Sequence, residues 1–491
     1  MVAQNREIKK YLEKTGEIGT VTYCKDPIAH VSGLPSLKAG EAVFTEKGEK
    51  GMVYQLDEKK AEVLIFQGDR IEAGQKVVGT GEPFSIPASE GLLGRVINPL
   101  CKSLDEKGPI GGNRVQKSIK SEAPGITKRS MIKDPVETGV TAVDLLVPVG
   151  HGQREMVVGD AKTGKTTLLL QAISNQARKG SICVYVGIGK ESSAFKEVES
   201  YLQDMDVFEK VVMMITTSSD PATLHYIAPS AGMTVAEYFR DLGNRVIIVF
   251  DDLSNHAKAY REISLLLKKP PAREAYPGDI FHVHAELVER AGNIVLDDGT
   301  EASITALPVA ETLENDLSGF IQTNLLGMTD GHIFFDIDEL RKGRYPAIST
   351  SLSVSRAGNQ TKKDLDKHLA DKIRKKLAEY RKVEEVAQFG AELSKENRQV
   401  LDLGAKIEIL LNQGPKTLIP RELQLVLFGL LLTGFWKDVS GKVMAEEVEK
   451  LVAKFADDDL TELENRLEGM KNTEQLKDYC YDIGPKLEKF L

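Results

Sequence analysis

The chain has 491 residues, and its 64 Lys and Arg against 73 Asp and Glu leave a net charge of −9. At about 150 residues per domain the length predicts roughly three domains, and the acidic balance argues against a broadly basic nucleic-acid-binding surface. With 41% hydrophobic and 28% charged residues the composition is neither that of a disordered chain nor that of a membrane span.

The start, Met1 to Gly19, carries charges throughout and no apolar stretch before a small-residue cleavage site, which predicts a cytosolic protein without a secretory signal. Four cysteines, Cys24, Cys101, Cys183 and Cys480, lie far apart with no CxxC spacing, so neither a zinc site nor a disulfide framework is expected. Up to residue 83 short β-rich runs such as Gly19-Thr-Val-Thr-Tyr23, Gly51-Met-Val-Tyr54 and Ala61-Glu-Val-Leu-Ile-Phe66 alternate with Gly, Asp and Lys turns. That spacing predicts a small β-barrel over residues 1–83. Over residues 84–362 apolar strands, Glu155-Met-Val-Val158, Ile182-Cys-Val-Tyr-Val186 and Arg245-Val-Ile-Ile-Val-Phe250, are followed by helical stretches, the pattern of an α/β domain with a parallel sheet.

From 363 to 491 the chain reads as helical and charged. Leu365, Leu369, Ile373, Leu377 and Tyr380 recur at four, four, four and three residues and mark one apolar stripe, while the Lys and Glu runs are expected on solvated faces. The longest apolar run, Leu425 to Trp436, falls short of the ~20 residues a bilayer requires and predicts a buried helix.

Chemistry enters at Gly159-Asp160-Ala161-Lys162-Thr163-Gly164-Lys165-Thr166, which fits G-x-x-x-x-G-K-T between an apolar strand and the helical run opening at Thr167. In such a loop the glycines let backbone N–H groups curl around phosphates, the lysine reaches the outer phosphates, and the threonine hydroxyl binds Mg²⁺. A second strand ends in Asp251-Asp252, as expected of a carboxylate that holds magnesium through water. Asp251, first off the strand, is the candidate. Its alternative is a pair of aspartates opening a loop or capping the next helix. The two motifs point to a Mg-nucleotide and do not say which NTPase this is. His282 and His284 would share a face if extended, but no third ligand accompanies them, so they are expected to be structural.

Several longer blocks carry a family likeness. Glu137-Thr-Gly-Val-Thr-Ala-Val-Asp-Leu-Leu-Val-Pro-Val-Gly150, Gly152-Gln-Arg-Glu155 before the phosphate loop, Tyr238-Phe-Arg-Asp241, Asp251-Asp-Leu-Ser254, Pro270-Pro-Ala-Arg-Glu-Ala-Tyr-Pro-Gly-Asp279 and Leu352-Ser-Val-Ser-Arg-Ala-Gly358 occur in order along nearly the whole chain. Together they resemble the alpha subunits of F-type rotary ATP synthases. The resemblance implies a β-barrel, a nucleotide-binding domain of P-loop type and a helical domain, with ATP or ADP and Mg²⁺ as ligands. It also implies an alternating hexamer with a catalytic beta-like subunit, a central-stalk gamma subunit, a peripheral-stalk delta subunit, and membrane contact only through the complex at the cytoplasmic face of the cell membrane. No nucleic acid is expected.

The same likeness separates binding from catalysis. Hydrolysis needs a carboxylate that positions water beside the γ-phosphate. In Gly187-Ile-Gly189-Lys190-Glu191 the aligned position is Lys190, a cation, and a one-residue shift turns Glu191 elsewhere. Arg356 resembles the residue such subunits extend as an arginine finger into the neighbouring catalytic site. Gln413, in Gln413-Gly-Pro415, stands where the family has Q-G-Q near the adenine, and Tyr345, in Tyr345-Pro-Ala-Ile348, places an aromatic where its catalytic subunits have one. The competing readings are an autonomous ring ATPase of the secretion-system or V-type relatives, against which Lys190 speaks, and a Rho-like RNA translocase. The latter needs a basic, aromatic surface near the N-terminus, where residues 17–83 offer only Tyr23, Phe44, Tyr54 and Phe66.

Overall fold

The computed structural model describes residues 4–66, 71–388, 394–455 and 460–487. Two compact units emerge, one gathering Met1–Ser130, Gly180–Glu311 and Leu317–Met328, the other Met131–Lys179, Thr312–Asp316 and Thr329–Leu491.

In the first unit six antiparallel strands, β1 (Gly19–Lys25), β2 (Ile28–Ser32), β3 (Glu41–Thr45), β4 (Lys50–Leu56), β5 (Ala61–Ile65) and β6 (Lys76–Pro83), close a barrel in the order β1-β2-β5-β4-β3-β6. Each strand sends one valine inward: Val21, Val31, Val43, Val53, Val63 and Val77 are all at most 1% exposed. A β-branched side chain stiff at χ1 fills the narrow interior without loss of rotamer freedom, and closure leaves no edge strand open to foreign pairing. The same unit holds parallel strands in the order Arg95–Ile97, Val211–Thr217, Ile182–Lys190, Arg245–Asp251 and Glu301–Thr312. The run Val246 to Phe250 is wholly buried, as parallel strands covered on both faces must be.

The second unit pairs strand Glu155–Asp160 in parallel with Gly331–Phe335, whose first residues take Val354–Ser355 as an antiparallel neighbour. Helices Asp364–Gln388, Lys395–Leu411, Arg421–Thr433, Gly441–Phe455, Thr461–Glu468 and Thr473–Leu487 complete it. Leu365, Leu369, Ile373, Leu377 and Tyr380 are buried along helix Asp364–Gln388, as their spacing predicts. The run Leu425 to Trp436 is helical only to Thr433, and its tryptophan, beyond the helix end, is buried with Nε1 donating to Glu447 Oε2 at 2.8 Å.

His282 and His284 sit on helix Ile280–Glu289, not on an extended segment, so a two-residue step turns them apart. His284 is buried against His256, Nε2 to Nδ1 2.9 Å, and His282 is exposed. Among the described residues no three His, Cys, Asp or Glu side chains are grouped to hold a metal ion, and no helix is long and apolar enough to cross a membrane. Cys101, Cys183 and Cys480 are buried and Cys24 half-buried, all four as free thiols.

Candidate nucleotide site

The phosphate loop joins strand Glu155–Asp160 to helix Lys165–Arg178 in the second unit. Gly159 passes so close to the neighbouring strand that a Cβ there would lie 2.5 Å from the Phe335 carbonyl oxygen, and Gly164 has φ +102°, a left-handed conformation few side chains tolerate. Lys165 is buried and donates from Nζ to the carbonyls of Gly159, 2.7 Å, and Asp160, 2.6 Å. The Thr163 hydroxyl donates to the Asp160 carbonyl at 2.7 Å, closing the turn. The first amides of the helix, at Lys165, Thr166 and Thr167, are therefore presented at an N-terminus, where backbone donors and the helix dipole favour an anion.

Two residues expected to meet the nucleotide are occupied with the scaffold. The Asp160 carboxylate turns away from the loop and accepts from Thr312 Oγ1, 2.6 Å, and the Asn315 amide, 3.1 Å. Asn315 continues to Asp336, its Nδ2 donating to Oδ1 at 2.8 Å. Gln413 is buried: its Nε2 donates to the carbonyls of Gly139 and Thr417, both 2.6 Å, while its Oε1 accepts from the Thr141 amide at 3.1 Å. Gln413 thus shapes a wall and has no amide hydrogen left to read a base.

That wall belongs to a cavity of about 640 Å³ running from the phosphate loop, at Lys162, Gly164 and Thr167, to Tyr345, Gln413, Pro415 and Val448. Its volume is that of a site for a ligand of nucleotide size. Tyr345 is 54% exposed at this cavity. Its backbone is clamped, the amide donating to Asn412 Oδ1 at 3.0 Å and the carbonyl accepting from the Gln413 amide at 2.6 Å.

In the first unit the carboxyl ends of two parallel strands bring Lys190 and Asp251 together, Nζ to Oδ1 2.5 Å. The other Asp251 oxygen, Oδ2, accepts from the hydroxyl of the fully buried Tyr185 at 2.7 Å. Asp252 caps the next helix, Leu253–Leu266, by accepting from the Asn255 amide at 2.7 Å. Burial pushes the Asp252 carboxyl up to about 7, Glu311 and Asp251 adding to the effect while the Asn255 amide and Lys190 oppose it. The register of strand Ile182–Lys190 against Val211–Thr217 shifts between Ile188 and Lys190, an irregularity that re-aims the lysine at the strand end. Glu191 is exposed at the start of helix Ser192–Asp204.

Arg356 follows strand Val354–Ser355 and is exposed; its amide donates to the Asp330 carbonyl at 3.2 Å. Its guanidinium makes no hydrogen bond or ion pair among the described residues. Leu352 and Val354 beside it are 50% and 41% exposed.

Comparison with known proteins agrees with this arrangement. The ATP synthase alpha/beta family models match as the beta-barrel domain over residues 14–81, the nucleotide-binding domain over 139–355 and the C-terminal domain over 360–481. The ATP synthase subunit alpha of Aquifex aeolicus (strain VF5) is 40% identical over 427 residues, 87% of this chain and 84% of that one. The chain belongs to the ATP synthase alpha/beta family. Within the family it is of the alpha-subunit type, part of an ATPase complex and a nucleotide binder, built from the barrel, α/β and helical domains expected from its sequence.

Thr312, Asn315 and Tyr185 are site-supporting residues that sequence reasoning missed. Only Tyr185 left a signal, as the one polar tip in the apolar run Ile182 to Val186.

Proposed function

We propose that this chain is a non-catalytic, ATP-binding alpha subunit that keeps its nucleotide unhydrolysed and donates Arg356 to the active site of a neighbouring beta-like subunit. Gamma and delta subunits complete its proposed assembly at the cytoplasmic face of the membrane, with domain boundaries near residues 83 and 362. ATP or ADP is proposed to lie with its phosphates on the loop from Gly159 to Thr167, Mg²⁺ entering with the nucleotide at Thr166. The observation that carries the non-catalytic reading is Lys190. By the family likeness it stands at the sequence position of the glutamate that polarises water in catalytic subunits; here it is bound to Asp251, and Glu191 faces solvent one residue on. The test is the purified full chain, expected to retain bound ATP with almost no steady-state turnover. Turnover near the ~1–100 s⁻¹ of phosphoryl-transfer enzymes would instead mark an autonomous ring ATPase.

The nucleotide base is proposed to stack on Tyr345, since Gln413 is committed to the backbone and Pro415 has no amide hydrogen. Stacking on an aromatic is worth about 1–3 kcal/mol per base, so Tyr345→Ala is expected to weaken ATP binding roughly tenfold. Tyr345→Phe should keep wild-type affinity. Equilibrium titration of both variants checks this, and an alanine variant with unchanged affinity refutes the stacking.

A further inference from the structure

We infer that Arg344 is a positioning residue: set among three carboxylates, it fixes the end of helix Lys395–Leu411 against the segment that carries Tyr345, and so aims the ring that takes the nucleotide base. The inference rests on the stacking reading above, and all its residues lie in the second unit. The Arg344 guanidinium meets Glu339 through Nη1, Glu384 Oε1 through Nη2 at 3.7 Å and Glu408 Oε2 through Nε at 3.3 Å. These carboxylates belong to helices Ile337–Arg341, Asp364–Gln388 and Lys395–Leu411. The Arg344 side chain is 15% exposed and none of its three partners exceeds 25%, so solvent screens the cluster less than it would a surface pair. Tyr380 adds a donor, its hydroxyl meeting Glu384 Oε1 at 2.6 Å.

Tyr345 follows Arg344 directly in the chain. About one helical turn beyond Glu408 the same helix end supplies both clamps on Tyr345, Asn412 at its amide and Gln413 at its carbonyl. Tyr345 is half exposed, so its ring takes its direction from that backbone. Holding the ring in place beforehand removes part of the ordering cost of binding a base. An ammonium in place of the guanidinium keeps the charge but lacks the planar fork that three carboxylates on three elements require.

The experiment is equilibrium binding of labelled ATP and of labelled inorganic tripolyphosphate to the full chain. Tripolyphosphate has the phosphates of ATP without the base and reports the phosphate loop alone. Arg344→Lys is expected to weaken ATP binding roughly fivefold or more, approaching the Tyr345→Ala chain, and to leave tripolyphosphate within about twofold of wild type. Glu408→Gln, which cuts the tie to the helix and removes one of the crowded carboxylates, should do the same. On a Tyr345→Ala background Arg344→Lys should cost nothing further, since the ring it aims is gone. Unchanged ATP affinity in either folded variant, equal losses of ATP and tripolyphosphate, or additive losses in the double variant each overturn the inference. A Tyr345→Ala chain that binds ATP like wild type overturns the stacking reading itself, and this inference with it. Thermal unfolding of each variant beside wild type establishes that it folds.

Discussion

Lys165→Ala is expected to abolish most ATP binding by this chain. The phosphates are the most highly charged part of the ligand, and hydrogen bonds to charged groups contribute about 1.5–3 kcal/mol each. Loss of a cation meeting two phosphate oxygens then amounts to on the order of 3 kcal/mol, roughly a hundredfold in affinity. The structure adds a qualification to how the variant must be read. Lys165 is buried and its ammonium satisfies the carbonyls of Gly159 and Asp160, so the substitution also leaves two loop acceptors short of a donor. Lys165→Arg, which keeps charge and donors but not shape, separates the two effects. Titration with labelled ATP is the measurement, run beside thermal unfolding. A stable Lys165→Ala chain that binds like wild type would defeat the assignment of the loop.

Features that depend on local periodicity were legible before the structure. The barrel can be read in short β-rich runs between Gly, Asp and Lys turns, the phosphate loop in glycines whose spacing only a tight turn needs, and the stripe Leu365 to Tyr380 in its helical repeat. What could not be read is how polar side chains divide their hydrogen bonds among partners distant in sequence. Asp160 belongs to a phosphate motif, yet its carboxylate is claimed by Thr312 and Asn315, and Gln413 lies in the segment that the family likeness put near the adenine, yet its amide is claimed by Gly139, Thr141 and Thr417. Asp251 shows the same blindness at its most consequential. Its place at the end of a strand was plain, but its pairing with Lys190, which a register shift in the neighbouring strand re-aims, was not. For His282 and His284 a shared face depended on an extended segment, and the helix there turns them apart.

Arg356→Ala is expected to leave ATP binding to this chain intact while hydrolysis by the assembled complex falls by two orders of magnitude or more, on the order of 3 kcal/mol of transition-state stabilisation. The local structure suits a residue donated outward, rigid at its base and free at its tip. Ser355 is buried, its hydroxyl accepting from Gln153 Nε2 at 3.1 Å, and the Arg356 amide is tied to the Asp330 carbonyl. Asp330 is itself held by Arg154, which donates from Nε and Nη2 at 3.0 and 2.7 Å. A guanidinium so anchored costs little to position against charge developing on a transferred phosphoryl group in a neighbouring chain. Assembly should survive the substitution, since one exposed arginine contributes little to a large interface. Arg356→Lys should recover only part of the rate, because an ammonium cannot reproduce the two-pronged geometry of the guanidinium. The measurement is steady-state ATPase activity of the reconstituted complex beside nucleotide occupancy of this subunit. Undiminished hydrolysis, or lost occupancy in this chain with the partner sites unaffected, would show that Arg356 does not act in trans.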